Sequence, residues 1–238
     1  MKLNILANKQ EVAVAFSEYL KEKIEASKGA LHVALSGGST PKAIFDYMAE
    51  NYKTSIEWNK LHLYWGDERC VLPTNAESNY KMTVDHLLSK IDFPEANIHR
   101  VHGENTPADE AVAYGEVLDK NLGKVNDIPQ FDIVILGMGD DGHTASIFPH
   151  EINLWESANN CEVAVHPESG QKRITITGKI INNAKEVAFL ITGAGKAPKV
   201  KEIINKVGDY TSYPATLVAP TSENLLWLLD KDAAKGIQ

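Results

Sequence analysis

Cysteine is scarce in this chain, with only Cys70 and Cys161 in 238 residues. The two stand far apart and match no metal or redox spacing, so a disulfide framework or a zinc knuckle does not organise the fold. Two reduced thiols suit a cytoplasmic protein. Basic residues are outnumbered as well: 24 Lys and Arg against 32 Asp and Glu give a formal net charge of −8. Nonspecific nucleic-acid binding needs a basic face, and this balance argues against it. Long apolar runs are missing, since no stretch approaches the roughly 18 residues that span a bilayer. The opening Met1-Lys-Leu-Asn-Ile-Leu6 is too short and too soon polar for a signal peptide. Internal repeats, low-complexity tracts and linker-like composition shifts are absent too. These absences leave an acidic globular protein with neither nucleic acid nor membrane as partner. Its hydrophobic fraction of 43% and charged fraction of 24% are ordinary for that class. The expectation is one domain over residues 1–238, as a monomer or small homo-oligomer.

What is present is an alternation of short apolar runs and amphipathic stretches. Residues 2–6, 31–35, 61–65, 131–136 and 186–192 read as strands, with a shorter one near 98–101. In 10–26, Val12, Val14, Ala15, Phe16, Tyr19, Leu20 and Ile24 fall close to helical spacing. Residues 41–51 put Ile44, Phe45 and Met48 on one face, and 78–90, 108–122 and 197–207 complete the helices. Residues 162–165 and 173–177 flank the turn Pro167-Glu-Ser-Gly170 and predict an antiparallel hairpin. Residues 215–218 and 225–229 read as closing strands, the second with a helical alternative. Repeated βα units with short connections imply a mainly parallel sheet covered on both faces. The expected fold is α/β: a three-layer α/β/α architecture with a mainly parallel, Rossmann-like sheet and a small antiparallel edge.

Chemistry concentrates where strands end. After the buried run Ile133 to Leu136 comes Gly137-Met-Gly-Asp-Asp-Gly-His143. The glycines let the backbone turn sharply and approach a ligand, and ligands of open α/β sheets bind outside the carboxyl ends of strands. His143 is placed there to accept a proton from water near neutral pH, and Asp141 is placed to hold its tautomer. Ser146 lies in Thr-Ala-Ser-Ile, not in a nucleophile elbow. His143 and His150 are seven apart and make a poor zinc pair. Water activated directly by His143 is the simplest mechanism, with the amides of the turn around Gly139 to Gly142 expected to stabilise the oxyanion that forms.

Leu35-Ser-Gly-Gly-Ser-Thr-Pro41 joins a strand to a helix, with Thr40 as expected N-cap and Pro41 as first helical residue. Gly37, Gly38, Ser39 and Thr40 would wrap an anion at a helix start, although a capped turn without ligand has the same pattern. It is neither a Walker loop nor a dinucleotide fingerprint. Asp67 and Arg69, in Trp65-Gly-Asp-Glu-Arg69, are expected at the rim of the cleft, where Arg grips phosphate or carboxylate. Arg173 and Lys196 would supply two further cations beside the cradle.

Taken together, the chain resembles the 6-phosphogluconolactonase family. The resemblance rests on Leu35-Ser-Gly-Gly-Ser-Thr-Pro41, Trp65-Gly-Asp-Glu-Arg-Cys-Val71, Ser78-Asn-Tyr80, Leu136 to Pro149, Arg173-Ile-Thr-Ile-Thr177, Gly195-Lys-Ala197 and Trp227-Leu-Leu-Asp230. It implies an α/β/α fold shared with glucosamine-6-phosphate deaminases. It also implies hydrolysis of a phosphorylated sugar lactone, 6-phosphogluconolactone, in the oxidative pentose phosphate pathway, with no redox cofactor and no obligatory metal. The sequence departs from the family at Asp140, where proline is frequent, and at His150-Glu-Ile-Asn153, where a glycine is expected. The deaminases carry Asp-Glu-Tyr in place of Asp67-Glu-Arg69, and a different run after the histidine, ending Asn-Glu-Pro rather than Ser146-Ile-Phe-Pro149. Two alternatives therefore stand beside the lactonase: a glucosamine-6-phosphate deaminase or isomerase, and a non-catalytic sugar-phosphate sensor. The latter lacks any spare segment for a partner module.

Overall fold

The computed structural model describes residues 1–237. Strand β1 (Lys2–Leu6), helix α1 (Lys9–Ala26), strand β2 (Leu31–Leu35) and helix α2 (Ser39–Asn51) open the chain. Strand β3 (Leu61–Trp65) runs through Gly66 into β4 (Asp67–Arg69), and α3 (Asn79–His86), β5 (Ile98–His99) and α4 (Pro107–Asn121) follow. A short ribbon of β6 (Lys124–Val125) and β7 (Ile128–Pro129) leads into β8 (Ile133–Leu136). The rest comprises β9 (Cys161–Val165), β10 (Lys172–Ile176), α5 (Gly178–Asn183), β11 (Glu186–Ile191), α6 (Ala197–Asn205) and β12 (Leu225–Asp230).

Seven strands pair in parallel in the order β1-β12-β11-β8-β2-β3-β5. Central β8 is buried at all four positions and lacks polar alternation, as a strand covered on both faces must. Helix α1 buries Val12, Ala13, Phe16, Leu20 and Ile24 along one stripe and packs on α2 and β12. Each of these side chains larger than alanine contributes roughly 1.5–3 kcal/mol by leaving water. From β2 the chain moves outward to β3 and β5, and from β8 it moves the opposite way to β11 and β12. Because β2 and β8 are neighbours, the connections leaving their carboxyl ends diverge and open a crevice.

The antiparallel part is a separate sheet of order β4-β10-β9. The hairpin of β9 and β10 is as expected, but it gains a third strand from residues 67–69, which the sequence reading treated as a strand end. Gly66 explains the junction. Its N–H donates to Leu35 O at 2.8 Å, and its carbonyl accepts from Ile176 N at 2.9 Å. The run therefore leaves the parallel sheet at Gly66 and continues beside β10. The Tyr114 hydroxyl, buried on α4, pins this point by accepting from Trp65 N at 2.9 Å and donating to Trp65 O at 3.0 Å.

Two other expectations need correction. Residues 215–218 are not a strand: Pro214–Leu217 form a 3₁₀ turn, and the Ala215 N–H is bonded to Gly142 O at 3.1 Å, outside any sheet. Residues 225–229 are a strand, paired on both sides in the sheet core. No helix among the described residues is long and apolar enough to cross a membrane.

One face of β2, β3 and β5 carries a ladder of imidazoles. His32 and His62 lie with ring centroids 4.9 Å apart, and His62 and His99 stack at 5.5 Å. His62 Nδ1 and His99 Nε2 are 3.2 Å apart, and the Tyr64 ring covers His99 at 4.4 Å. Burial, followed by the His62 and His32 imidazoles, pushes the His99 pKa down to about 4.

Candidate active site

The crevice is walled first by the start of α2. Gly38 has φ +106°, a conformation open to glycine at little cost, and it caps the helix. Thr40 is therefore not the N-cap; the helix begins two residues earlier than Pro41, at Ser39. The Thr40 hydroxyl instead meets Thr192 Oγ1 at 2.7 Å, tying α2 to the end of β11. Pro41 still sits in the first turn, where a missing N–H goes unfelt. The amides of Ser39 and Thr40 meet no acceptor among the described residues, as expected at a helix start. At Gly37 a Cβ would lie 1.9 Å from Asn79 Oδ1, so only glycine fits. Asn79 is held in turn by its Nδ2 donating to Asp67 O at 2.9 Å.

The second wall is the loop after β8. His143 Nδ1 and Asp141 Oδ1 are 2.6 Å apart. Burial alone would raise the Asp141 carboxyl, but the hydrogen bond and charge of His143 outweigh it and hold the pKa down to about 2. The ionised Asp141 faces Nδ1, so Nε2 is the ring nitrogen that this contact leaves unengaged. Gly142, at φ +86°, makes the turn between them. Phe148 packs against the imidazole, with centroids 4.6 Å apart. Gly139 and Gly142 do not serve as oxyanion donors: Gly139 N–H is bonded to His143 O at 2.9 Å and Gly142 N–H to Gly139 O at 3.1 Å. Their amides build the turn and have nothing left to give.

The third wall comes from the antiparallel sheet. Asp67 is only 6% exposed and lies in the floor of the crevice, not at its rim. It accepts from Ser146 Oγ at 2.6 Å. Arg173, paired in register with Arg69, places its guanidinium 5.6 Å over the Phe148 ring and 3.5 Å from Ser146 Oγ. Burial lowers its pKa, while Asp67 opposes the shift. Arg69 Nη1 donates to Glu77 O. Glu68 points away from the site: it is buried and accepts from the amides of Arg69, Asn79 and Tyr80 and from Ser78 Oγ, fixing the start of α3. Lys196 pairs with Asp140 at 2.7 Å. Its loop is held by Asp230, whose carboxylate accepts from Gly193 N at 3.0 Å.

Gly37, Gly38, Ser39, Thr40, Asp67, Arg69, His143, Arg173 and Lys196 all line one cleft of about 260 Å³. Asp141 stands behind His143 and outside that lining. The sequence reading missed Asn79, Ser146, Phe148, Thr192 and Asp230 as site builders. Asn79 and Ser146 stand within runs that were already singled out, but their partners are distant in sequence. Only the folded register shows which residues they serve.

The family model described as glucosamine-6-phosphate isomerases/6-phosphogluconolactonase matches residues 7–227. A 6-phosphogluconolactonase of Treponema pallidum is 42% identical over 82% of this chain and 81% of its own. A solved structure described as devB protein superposes with TM-score 0.95 at 40% identity, covering 100% of this chain and 99% of that one. The solved 6-phosphogluconolactonase of Trypanosoma brucei gives TM-score 0.89 at 30% identity, over 100% and 98% of the two chains.

Proposed function

From the premise that this chain belongs to the glucosamine-6-phosphate isomerase/6-phosphogluconolactonase family, we propose a mechanism in which His143 is the general base of lactone hydrolysis. The protein is a lactonase that opens 6-phosphogluconolactone to 6-phosphogluconate in the pentose phosphate pathway. The observation that carries the mechanism is the 2.6 Å Asp141–His143 contact in the loop facing the helix start at Ser39.

The substrate is a six-membered ring carrying a phosphate at one end and an ester carbonyl at the other. The phosphate rests on the unspent amides at the start of α2 and on the Ser39 hydroxyl, where the helix dipole favours negative charge. Lys196 and Arg173 offset its second charge, and Arg69 binds phosphate or ring hydroxyls. The cleft volume of about 260 Å³ suits one small polar molecule.

With C1 held toward the imidazole, His143 Nε2 takes a proton from water, and the resulting hydroxide adds to the carbonyl carbon. The imidazolium is stabilised by Asp141. The tetrahedral intermediate then collapses: the bond from C1 to the ring oxygen breaks, and His143 returns its proton to that oxygen. A positioned general base accounts for roughly 10²–10⁴ in rate. A lactone is a strained ester, so this route needs no covalent intermediate.

Replacing His143 by Ala tests the assignment. The expected outcome is a kcat lower by about 10²–10⁴-fold with KM nearly unchanged; near-normal turnover removes His143 from the base role. Assaying ammonia release from glucosamine 6-phosphate separates the deaminase alternative. The residues against that alternative are integral to the site: Arg69 lies opposite Arg173, and Phe148 lies under it. One continuous hydrophobic core supports reading residues 1–238 as a single domain. Unpaired Cys70 and Cys161 support a cytoplasmic location.

A further inference from the structure

The turn that aims His143 has its back against a residue no motif contains. Gly142 stands between Asp141 and His143, and a Cβ there would lie 2.6 Å from Tyr213 Cγ and 2.7 Å from Tyr213 Cβ. The Tyr213 ring is thus in close contact with the backbone of the turn. Tyr213 is 7% exposed and begins the 3₁₀ segment in which Ala215 N–H donates to Gly142 O at 3.1 Å. Side chain and backbone of this segment therefore grip the same glycine.

The far end of the ring is anchored as well. Lys199 Nζ donates to the Tyr213 hydroxyl at 2.5 Å and lies 4.1 Å from the ring centroid. The hydroxyl donates to Glu202 Oε2. Lys199 and Glu202 belong to α6, the helix that starts directly after Lys196. The ring thus spans from the helix behind the cationic Lys196 to the turn behind the imidazole.

We propose that Tyr213 is a positioning residue for His143, a rigid wedge that fixes the Asp141-Gly142-His143 turn relative to α6. This inference rests on His143 being the general base. Removal of the wedge lets the turn relax into the vacated space, and Nε2 moves off the line to the carbonyl. A displacement of about 1 Å at a reacting group costs on the order of 10²-fold in rate. The substrate contacts proposed at the α2 start, Arg69 and Arg173, which do not touch Tyr213, are left in place.

The test measures kcat and KM for wild type and for Tyr213→Ala, Tyr213→Phe and His143→Ala, together with the NMR resonance of the His143 Nδ1 proton. The expected result for Tyr213→Ala is a kcat loss on the order of 10²-fold, a KM within about twofold, and a displaced or broadened Nδ1 resonance. Tyr213→Phe keeps the ring and restores most of kcat. Wild-type kcat in Tyr213→Ala overturns the proposal, as does a kcat loss that Tyr213→Phe fails to recover while the Nδ1 resonance stays in place. If Tyr213→Ala does not fold, Gly142→Ala carries the test from the other side of the contact, and normal kcat there overturns the proposal equally. His143→Ala distinguishes the two levels of inference. Full activity in that variant removes the general base itself, whereas an inactive His143→Ala beside a fully active Tyr213→Ala removes only the wedge.

Discussion

Replacing His99 by Gln should flatten the acid dependence of stability. In the native protein the His99 pKa is pushed down to about 4 by burial and by the adjacent imidazoles of His62 and His32. In the unfolded chain it returns to about 6.5. Above that value both states are neutral and the group contributes nothing to the pH dependence. As pH falls from about 6.5 toward 4, the unfolded chain binds a proton that the native ring refuses, so stability falls. Below about 4 the native ring also titrates and the loss levels off. At about pH 5 the difference amounts to roughly 2 kcal/mol without screening, and the half-buried position reduces it to about 1 kcal/mol. Urea unfolding at about pH 7 and pH 5 measures it directly. Wild type should lose about 1 kcal/mol more than His99→Gln between those conditions. His32 and His62, whose pKa values burial also lowers, act in the same direction and remain in the variant. Parallel losses in the two proteins would refute the reasoning, because the ladder would then carry no proton-linked cost.

Replacing Arg173 by Ala should raise KM for the phosphorylated lactone by roughly 10–100-fold, the worth of a charge-assisted hydrogen bond in a half-buried site; an unchanged KM takes Arg173 out of the substrate site. Replacing Asp140 by Asn frees Lys196 from its 2.7 Å partner. Inorganic phosphate should then inhibit about two- to fivefold more tightly, a modest gain because the pair is exposed; an unchanged inhibition constant means that Asp140 does not compete for the lysine.

Much of the layering was legible in the sequence because apolar periodicity survives in β2, β3, β8 and β11, whose side chains face packed helices on both sides. The site residues were legible for a related reason. Glycine, histidine and arginine at strand ends have few other uses in such number. What escaped was governed by long-range pairing. Asp67–Arg69 read as the charged end of a strand at the cleft rim, yet became a strand of their own because β10 lies beside them. Residues 215–218 are apolar enough for a strand, but Pro214 and the bond from Ala215 to Gly142 committed them to a turn. The misplaced cap has a local origin: Thr40 has the better capping side chain, but Gly38 alone tolerates the backbone angle at which α2 starts. The oxyanion expectation is narrowed, because two of the four amides in the Gly139–Gly142 turn, those of Gly139 and Gly142, are spent on holding it closed.

Gly66 leaves a mark on how the protein meets its ligand. One uninterrupted stretch of backbone serves as the plank next to the edge of the parallel sheet on one side of that glycine and as an outer plank of the antiparallel sheet on the other. The two halves of the receptacle, helix start and guanidinium, are therefore clamped to a common beam. Their spacing is set when the chain folds, so the ordering cost is met before any sugar arrives. Such a receptacle has its two walls joined by continuous backbone across a single glycine.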